Sequence, residues 1–317
     1  MSRLIVIGNG TLAMDCLAML HDRPAAEIVL VVYDQRERSI GGGVAAWCKN
    51  HSVAVLPVEK NINAPEVLQG ITALEPDLIF NINSFFIFRD ELLAVAKGGM
   101  VNFHNAPLPR FRGVHSPSWA IITGATDYGV TWHFIDKGID TGDIIAQRPV
   151  EISDDETALS LTIKCMLAGK ALFAEFIDDL LAGDFTRTPQ SGPGSYYSLR
   201  DTPNGGYIDF SDDCKIIDRV VRGLDFGPAT NTFVHAKTRF RERDFIVSRV
   251  SCRPQAATKP PGTALSTDAG RLEVAAGDGI VSIEDVRSAD GEPLTVSGLI
   301  DKLGIRPNDR LENVRVS

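Results

Sequence analysis

Short apolar runs alternate with helical patterns along the first hundred residues. The runs cover residues 4–8, 28–33, 53–58, 78–81 and 100–104, and those at 4–8 and 28–33 are continuously apolar. Strands of this kind are buried on both faces, as in a parallel sheet. The helical stretches between them supply the crossover connections. The sequence therefore predicts an α/β fold with a Rossmann-like doubly wound sheet.

The remaining residues complete the first domain and predict a second one. Two further strands, at 128–135 and 144–152, are joined by a polar turn and followed by a long helix over 157–181, and Ser116-Pro117 is typical of a helix start. Short β-like runs at 232–235, 245–250, 272–275 and 280–286 then indicate a smaller β-rich, barrel-like domain. A chain of 317 residues exceeds what one core usually holds. We predict domains over 1–188 and 205–317, with a Gly- and Pro-rich linker over 189–204.

Charge and cysteine content exclude some classes of function. The net charge of −9 argues against a nucleic acid or an anionic membrane as partner, since both attract basic surfaces. The five cysteines are scattered without a Cys-x-x-Cys pair, which disfavours a zinc site or a disulfide framework and favours reduced thiols in the cytoplasm. No signal peptide and no run of 18 apolar residues is recognisable.

A glycine turn follows the first predicted strand. Gly8, Gly10 and Ala13 fit the pattern G-x-G-x-x-A, and Asp34 ends the second strand. This arrangement is a degenerate dinucleotide-binding fingerprint, with the acid placed for a ribose hydroxyl. Glycines at this turn are also needed simply to let helix and strand pack closely. The second interpretation is favoured, and the first stays open.

Three polar residues form the most informative group. Asn102 and His104 are two residues apart at a strand end, so their side chains share a face, and Asp140 lies in a polar turn beside two glycines. An Asn amide can donate to an oxyanion, and a His can take a proton from an attacking amine. A nearby carboxylate favours the protonated imidazole and orients its ring. These residues suit transfer of an acyl group to an amine without a metal.

Two separated motifs resemble the N10-formyltetrahydrofolate-dependent formyltransferases. That family includes enzymes acting on methionyl-tRNA, on nucleotide-linked amino sugars and in peptide synthetases. It carries an Asn-x-His, a Leu-Pro-x-x-x-Gly loop and a later Asp-x-Gly turn. The matching residues are Asn102, His104, Leu108, Pro109, Gly113, Asp140, Thr141 and Gly142, and residues 206–210 resemble the start of the family's C-terminal domain.

The resemblance implies a mechanism and a co-substrate. Asn102, His104 and Asp140 would be the catalytic residues of an N-formyltransferase that uses N10-formyltetrahydrofolate and no metal. The loop over 84–89 and the turn over 136–139 would hold the pterin of the folate, largely through backbone groups. The residues implied in cofactor binding are Phe86, Ile87, Asp136, Gly138 and Ile139.

Three acceptor classes compete for the amine. Initiator tRNA is disfavoured because the segment after the second strand is short and offers only Arg36 and Arg38 as basic residues. The stretches 114–119 and 129–133 resemble the sugar and peptide-synthetase branches of the family. His115 and Ser116, at a helix start, would bind an anionic group of the acceptor.

We therefore predict a small-molecule amine in a biosynthetic pathway, with an amino-acid-type acceptor ahead of a nucleotide-linked amino sugar. Methionyl-tRNA formylation is the alternative, and tRNA is an unlikely partner on these grounds. A non-catalytic folate- or dinucleotide-binding protein is a further alternative. A second copy of the chain or a carrier protein as partner is left open.

Overall fold

The computed structural model describes residues 1–35, 38–255, 258–268 and 270–316, with the backbone alone for 38–42. Arg36 and the side chain of Arg38 lie outside the described residues. The chain forms two compact units. The first contains Met1–Gly113, Asp127–Glu151 and Ile163–Tyr196, and the second contains Val114–Thr126, Ile152–Thr162 and Tyr197–Ser317.

The helices and strands follow in chain order. Those up to residue 134 are β1 (Ser2–Gly8), α1 (Gly10–His21), β2 (Ala26–Asp34), α2 (Arg38–Asn50), β3 (Val55–Val58), α3 (Pro65–Ala73), β4 (Leu78–Ile82), α4 (Asp90–Leu93), β5 (Met100–His104), β6 (Arg112–Gly113), α5 (Ser116–Thr123) and β7 (Tyr128–Phe134). The later ones are β8 (Ile144–Val150), α6 (Ala158–Ala182), β9 (Tyr196–Tyr197), a 3-10 turn (Pro203–Gly206), α7 (Cys214–Gly223), β10 (Lys237–Phe240), β11 (Arg243–Pro254), β12 (Ala264–Ser266), β13 (Leu272–Ala275), β14 (Gly279–Ser288), β15 (Pro293–Leu294) and α8 (Val296–Leu303).

The first unit is built on a seven-stranded sheet in the order β3-β2-β1-β4-β5-β7-β8. The strands from β3 to β5 are parallel to their neighbours, whereas β7 runs antiparallel to β5 and β8 antiparallel to β7. The chain order reverses between β1 and β4, which makes the sheet doubly wound. The predicted α/β class is confirmed.

Both faces of this sheet are covered by apolar side chains. On one face Ile5, Ile7 and Ile79 pack with residues of α3 and α4, including Ile71 and Leu92. The other face carries aromatic rings: Phe173 of α6 lies with its centroid 5.6 Å from that of Phe80 and 5.0 Å from that of Trp132. Full burial of one such side chain contributes about 1.5–3 kcal/mol.

The second unit contains an antiparallel sheet in the order β10-β11-β14-β13-β12, with β15 paired to β14. This sheet curls into a half-barrel, which confirms the predicted β-rich, barrel-like C-terminal part. Helix α7 is amphipathic: Cys214, Ile217 and Val221 are buried against apolar residues of the sheet, including Phe245 and Val281.

One stretch of the C-terminal part differs from the sequence prediction. The strand predicted over 232–235 is wrong, and the first strand of that sheet starts at Lys237. The side chain of Asn231 explains this, because its amide donates to the carbonyls of Leu224 and Val234 and its Oδ1 accepts from the Phe233 N–H. A side chain that bonds nearby backbone groups replaces the partners of a ladder. The segment over 189–204, predicted as a linker, contains β9.

The glycine turn after β1 is explained by close packing. A Cβ on Gly8 would lie 2.6 Å from the carbonyl oxygen of Ile82 in β4. Asp34 is only 1% exposed, and its N–H donates to Oδ1 of Asn9. The acid predicted for a ribose hydroxyl is therefore inside the protein.

We expect Gly8→Ala to destabilise the protein by about 1–3 kcal/mol, because the methyl group has no room beside β4. Gly70→Ala is the matched control, since Gly70 lies in α3 with open space around its Cα. That change should stabilise the helix by up to about 1 kcal/mol. Urea unfolding of both variants measures the two effects. Equal stability of the Gly8 variant and the wild type would contradict the packing explanation.

Candidate active site

The predicted residues Asn102, His104 and Asp140 lie together in the first unit. Asn102 and His104 end β5, and in the β5–β7 pairing Asn102 lies opposite His133 and His104 opposite Thr131. The Asp140 carboxylate lies near both histidines: Oδ2 is 3.6 Å from His104 Nδ1, and Oδ1 is 3.7 Å from His133 Nε2. The sequence did not predict that His133 joins this group.

The Asp140 carboxylate is held by backbone and side-chain contacts. Its Oδ2 accepts from the N–H of Gly113 at 2.8 Å, and Asp140 itself has a positive φ of 53°. Asp tolerates this left-handed conformation better than most residues. Gln190 donates to the carbonyls of Asp140 and Gly142, both at 2.8 Å, and accepts from Arg112. Gln190 has no sequence signal, because it lies in the segment predicted as a linker.

The hydrogen bond of His104 defines its tautomer. His104 is 6% exposed, and its Nε2 lies 2.8 Å from the carbonyl oxygen of Phe111. A carbonyl only accepts, so Nε2 carries the proton in the neutral ring and Nδ1 carries the free lone pair. That lone pair lies on the side of the ring nearest Asp140. The ring is therefore arranged to accept a proton at Nδ1.

His133 is a buried, neutral histidine. It is 1% exposed, and burial lowers its pKa to about 4, an effect that the charge of Asp140 only partly offsets. Its Nε2 lies 3.0 Å from Nδ2 of Asn102, and its Nδ1 lies 2.7 Å from the carbonyl oxygen of Phe134. The position of His133 beside Asn102 depends on the antiparallel register of β7 with β5, which cannot be read from the sequence pattern.

The residues predicted to hold folate occupy different environments. Ile87 and Ile139 are 65% and 41% exposed, whereas Phe86 is 7% exposed and packs in the core of the sheet. The ring that is exposed in this loop belongs to Phe85, at 64%. The side chain of Phe86 is therefore buried, whereas those of Phe85, Ile87 and Ile139 face solvent.

The turn carrying Asp136 and Gly138 is stabilised internally. The Asp136 Oδ1 accepts from the N–H of Gly138 at 3.0 Å and from the hydroxyl of Thr141 at 2.5 Å. A Cβ on Gly138 would lie 2.1 Å from that hydroxyl oxygen. The Asp136 carboxylate thus shapes the turn.

His115 and Ser116, predicted to bind the acceptor, belong to the second unit. Ser116 is 1% exposed, and the residue that caps α5 is His115 rather than Ser116. The His115 ring stacks on Phe233 with centroids 4.2 Å apart and an interplanar angle of 13°, and burial lowers its pKa. His115 is half-buried, so its ring is the more accessible of the two side chains.

No metal site accompanies these residues. Among the residues that the structure describes, no group of three or more His, Cys, Asp or Glu side chains is arranged to hold a metal ion. Within the same residues no helix is long and apolar enough to cross a membrane.

Curated relatives match nearly the whole chain. The methionyl-tRNA formyltransferase of Geotalea uraniireducens is 32% identical over 292 residues, covering 90% of each chain. That of Geobacter metallireducens is 29% identical over 318 residues and covers 98% of this chain and 99% of its own.

Solved structures share the fold at lower identity. The N-formyltransferase of Helicobacter canadensis, in complex with folinic acid and dTDP-3-aminofucose, has a TM-score of 0.68 and 19% identity, and the match covers 89% of this chain and 98% of the other. HypX of Aquifex aeolicus, in complex with tetrahydrofolic acid, has a TM-score of 0.59 and 18% identity. The match covers 95% of this chain and 47% of the HypX chain. Identities this low establish the fold alone.

The relatives correct two predictions. A small-molecule amine as the acceptor is wrong, and so is the prediction that tRNA is an unlikely partner, because the full-length relatives are methionyl-tRNA formyltransferases. The sugar N-formyltransferases among the solved structures share the fold at 16–21% identity. The net charge of −9 misled the prediction. It describes the whole chain, whereas binding depends on the local surface.

The low pKa of His133 predicts a specific loss of stability in acid. Between about pH 6.5 and about pH 4 an unfolded histidine takes up a proton that the folded His133 does not, so stability falls as the pH falls through this range. The total loss from this residue is at most about 3 kcal/mol. Urea unfolding across this range should show a smaller slope of stability against pH for His133→Gln than for the wild type. Identical slopes would show that His133 is not buried as a neutral ring.

Two family models complete the comparison. The model described as formyl transferase matches residues 2–177, and the model described as formyl transferase, C-terminal domain, matches residues 202–303. Together they cover most of the chain and confirm the resemblance seen in the motifs around His104 and Asp140. They also confirm the expectation that the chain is a formyltransferase enzyme. The chain therefore belongs to the formyl transferase family.

Proposed function

We propose that this protein transfers the formyl group of N10-formyltetrahydrofolate to the amine of methionyl-tRNA. The observation that carries this proposal is the match to methionyl-tRNA formyltransferases, which extends over 90–98% of this chain at 29–33% identity. A match of this length includes both units. The arrangement of Asn102, His104 and Asp140 supports the chemistry that such a transfer needs.

His104 acts as the general base in this proposal. The neutral amine attacks the formyl carbon, the new C–N bond forms, and the amine nitrogen becomes positively charged. The lone pair on Nδ1 of His104 accepts a proton from that nitrogen. When the bond from the formyl carbon to N10 breaks, the imidazolium returns the proton to N10. A single side chain, that of His104, thus accepts the proton and returns it, and no metal takes part.

Asn102 and Asp140 stabilise charges that appear during the reaction. Attack places a negative charge on the formyl oxygen, and an N–H of the Asn102 amide is suited to donate to it. The carboxylate of Asp140 stabilises the positive charge on His104, whose Nδ1 lies 3.6 Å away. The N–H of Gly113 keeps the carboxylate in place at 2.8 Å.

Exposed apolar side chains and a rigid turn support folate binding beside these residues. Phe85, Ile87 and Ile139 have exposed apolar side chains, which suit contact with a flat ligand. We propose that the pterin lies against these side chains and bonds to backbone groups of the turn that Asp136 stabilises. Phe86 contributes through its backbone only, since its ring is buried.

A reducing compartment suits this function. All five cysteines are thiols, and burial raises the pKa of Cys48 to about 11 and that of Cys252 to about 12. Such thiols are inert. We propose the cytoplasm as the location.

The acceptor is tested by the release of tetrahydrofolate from N10-formyltetrahydrofolate. We expect release with methionyl-tRNA and formation of formyl-methionyl-tRNA. Free methionine, uncharged tRNA and a dTDP-linked amino sugar are the controls and should give no release above background. Release with the sugar and none with methionyl-tRNA would overturn the proposed acceptor.

The proposed base is tested by His104→Ala. We expect kcat to fall about 10²–10⁴-fold because the proton acceptor is lost. Binding of tetrahydrofolate, followed by calorimetry, should persist. His51→Ala is the matched control, since His51 is an exposed histidine of the same unit and should leave kcat unchanged. A His104 variant with wild-type kcat would remove this residue from the mechanism.

The carboxylate is tested by Asp140→Asn, which keeps the shape of the side chain and an acceptor for the Gly113 N–H. We expect kcat to fall about 10²–10⁴-fold, because the amide cannot stabilise a positive imidazole during proton transfer. Single-turnover rates with saturating methionyl-tRNA measure this effect on the chemical step. An unchanged rate would show that Asp140 only shapes the loop.

A further inference from the structure

Hydrogen bonds link polar side chains across β4, β5 and β7 in one continuous chain. His133 Nδ1 lies 2.7 Å from the Phe134 carbonyl oxygen, and His133 Nε2 lies 3.0 Å from Asn102 Nδ2. The Oδ1 of Asn102 then accepts from Asn81 Nδ2 at 2.7 Å, and the Oδ1 of Asn81 accepts from the Ser84 hydroxyl at 2.5 Å. This chain of hydrogen bonds connects the end of β7 with the loop over 84–89, which is predicted to hold folate.

The direction of this chain is set at the Phe134 carbonyl. A carbonyl oxygen cannot donate, so the proton of neutral His133 must lie on Nδ1. Its Nε2 then has only a lone pair, and the group facing it must be the NH2 of Asn102. Burial keeps His133 neutral by lowering its pKa to about 4. The titratable groups that act on its ring are Asp140, His104 and Asp136.

A reversed Asn102 amide would break the chain twice. Its Oδ1 would face the lone pair of His133 Nε2, and its NH2 would face the NH2 of Asn81 unless that amide also turned over. Each break loses a hydrogen bond, and a buried polar group left without a partner is more costly than the lost bond alone. The neighbours of Asn102 therefore select one orientation of its amide.

We propose that His133 is a positioning residue for formyl transfer, which holds the Asn102 amide with its second N–H free to meet the oxyanion. One Nδ2 hydrogen is engaged by His133, and the other remains available. This inference rests on the proposed role of Asn102 as the oxyanion donor. A donor fixed before the reaction needs no reorganisation when the negative charge develops.

The first experiment compares two variants of His133. His133→Leu removes the acceptor for Asn102, so kcat should fall about 10–100-fold, as expected for a misplaced reacting group. The KM values for methionyl-tRNA and folate should change less than about twofold, since binding is not affected. His133→Gln keeps both an acceptor and a donor and should restore most of kcat.

A double-mutant cycle with Asn102→Ala then tests whether His133 acts through Asn102. In the Asn102→Ala background His133→Leu should cause no further loss beyond about twofold, because the group it positions is absent. Equal losses from His133→Leu in both backgrounds would overturn the proposal, as would a fully active His133→Leu single variant. A fully active Asn102→Ala variant would instead refute the proposed role of Asn102, so the two failures are distinguishable.

A matched control and a second variant guard against effects on folding. Tyr128→Phe removes a buried hydroxyl on the same strand, one that donates to the Asn105 carbonyl and lies outside the chain of hydrogen bonds. It should leave kcat unchanged. If His133→Leu does not fold, Asn81→Leu breaks the chain on the other side of Asn102. Asn81→Leu should then lower kcat in the wild-type background and cause no further loss in the Asn102→Ala background. Equal losses of kcat in the two backgrounds would overturn the proposal.

Discussion

The antiparallel pairing of β5 with β7 is the interaction on which the candidate site depends. The sheet is parallel up to β5, and parallel strands need long crossover connections. The switch to an antiparallel partner places His133 opposite Asn102 and lets the short turn after β7 bring Asp140 within 4 Å of both histidines. A register shift of one residue would turn His133 to the other face of the sheet and remove the acceptor for the Asn102 amide.

Burial of these polar groups explains why so many of their contacts are backbone contacts. A buried polar atom without a partner costs about 1–3 kcal/mol, so each one needs a fixed neighbour. The Phe111 carbonyl, the Phe134 carbonyl and the Gly113 N–H fill this role for His104, His133 and Asp140. The same contacts define tautomers and orientations. The same hydrogen bonds therefore stabilise the buried groups and fix their orientation.

The acceptor illustrates a limit of arguments from bulk charge. A chain with a net charge of −9 was expected to avoid tRNA, yet relatives that match it over 98% of its length carry the name methionyl-tRNA formyltransferase. Nucleic acid binding requires basic groups only where phosphates lie, and screening limits the influence of distant acids to about 10 Å at moderate salt. The sum over a sequence contains no information about where the charges lie.

The sequence by itself determined the α/β class and the barrel-like C-terminal part, which follow from local signals such as apolar runs and turn residues. It also predicted the grouping of Asn102, His104 and Asp140, through the resemblance of two separated motifs to a known family. Only the tertiary structure decided that His133 and Gln190 join the site, that the Phe86 ring is buried and that Asn231 interrupts a strand. Each of these depends on partners distant in sequence or on side-chain hydrogen bonds. Strand register and side-chain pairing arise when separated segments pack, and a local pattern does not encode which partners they meet.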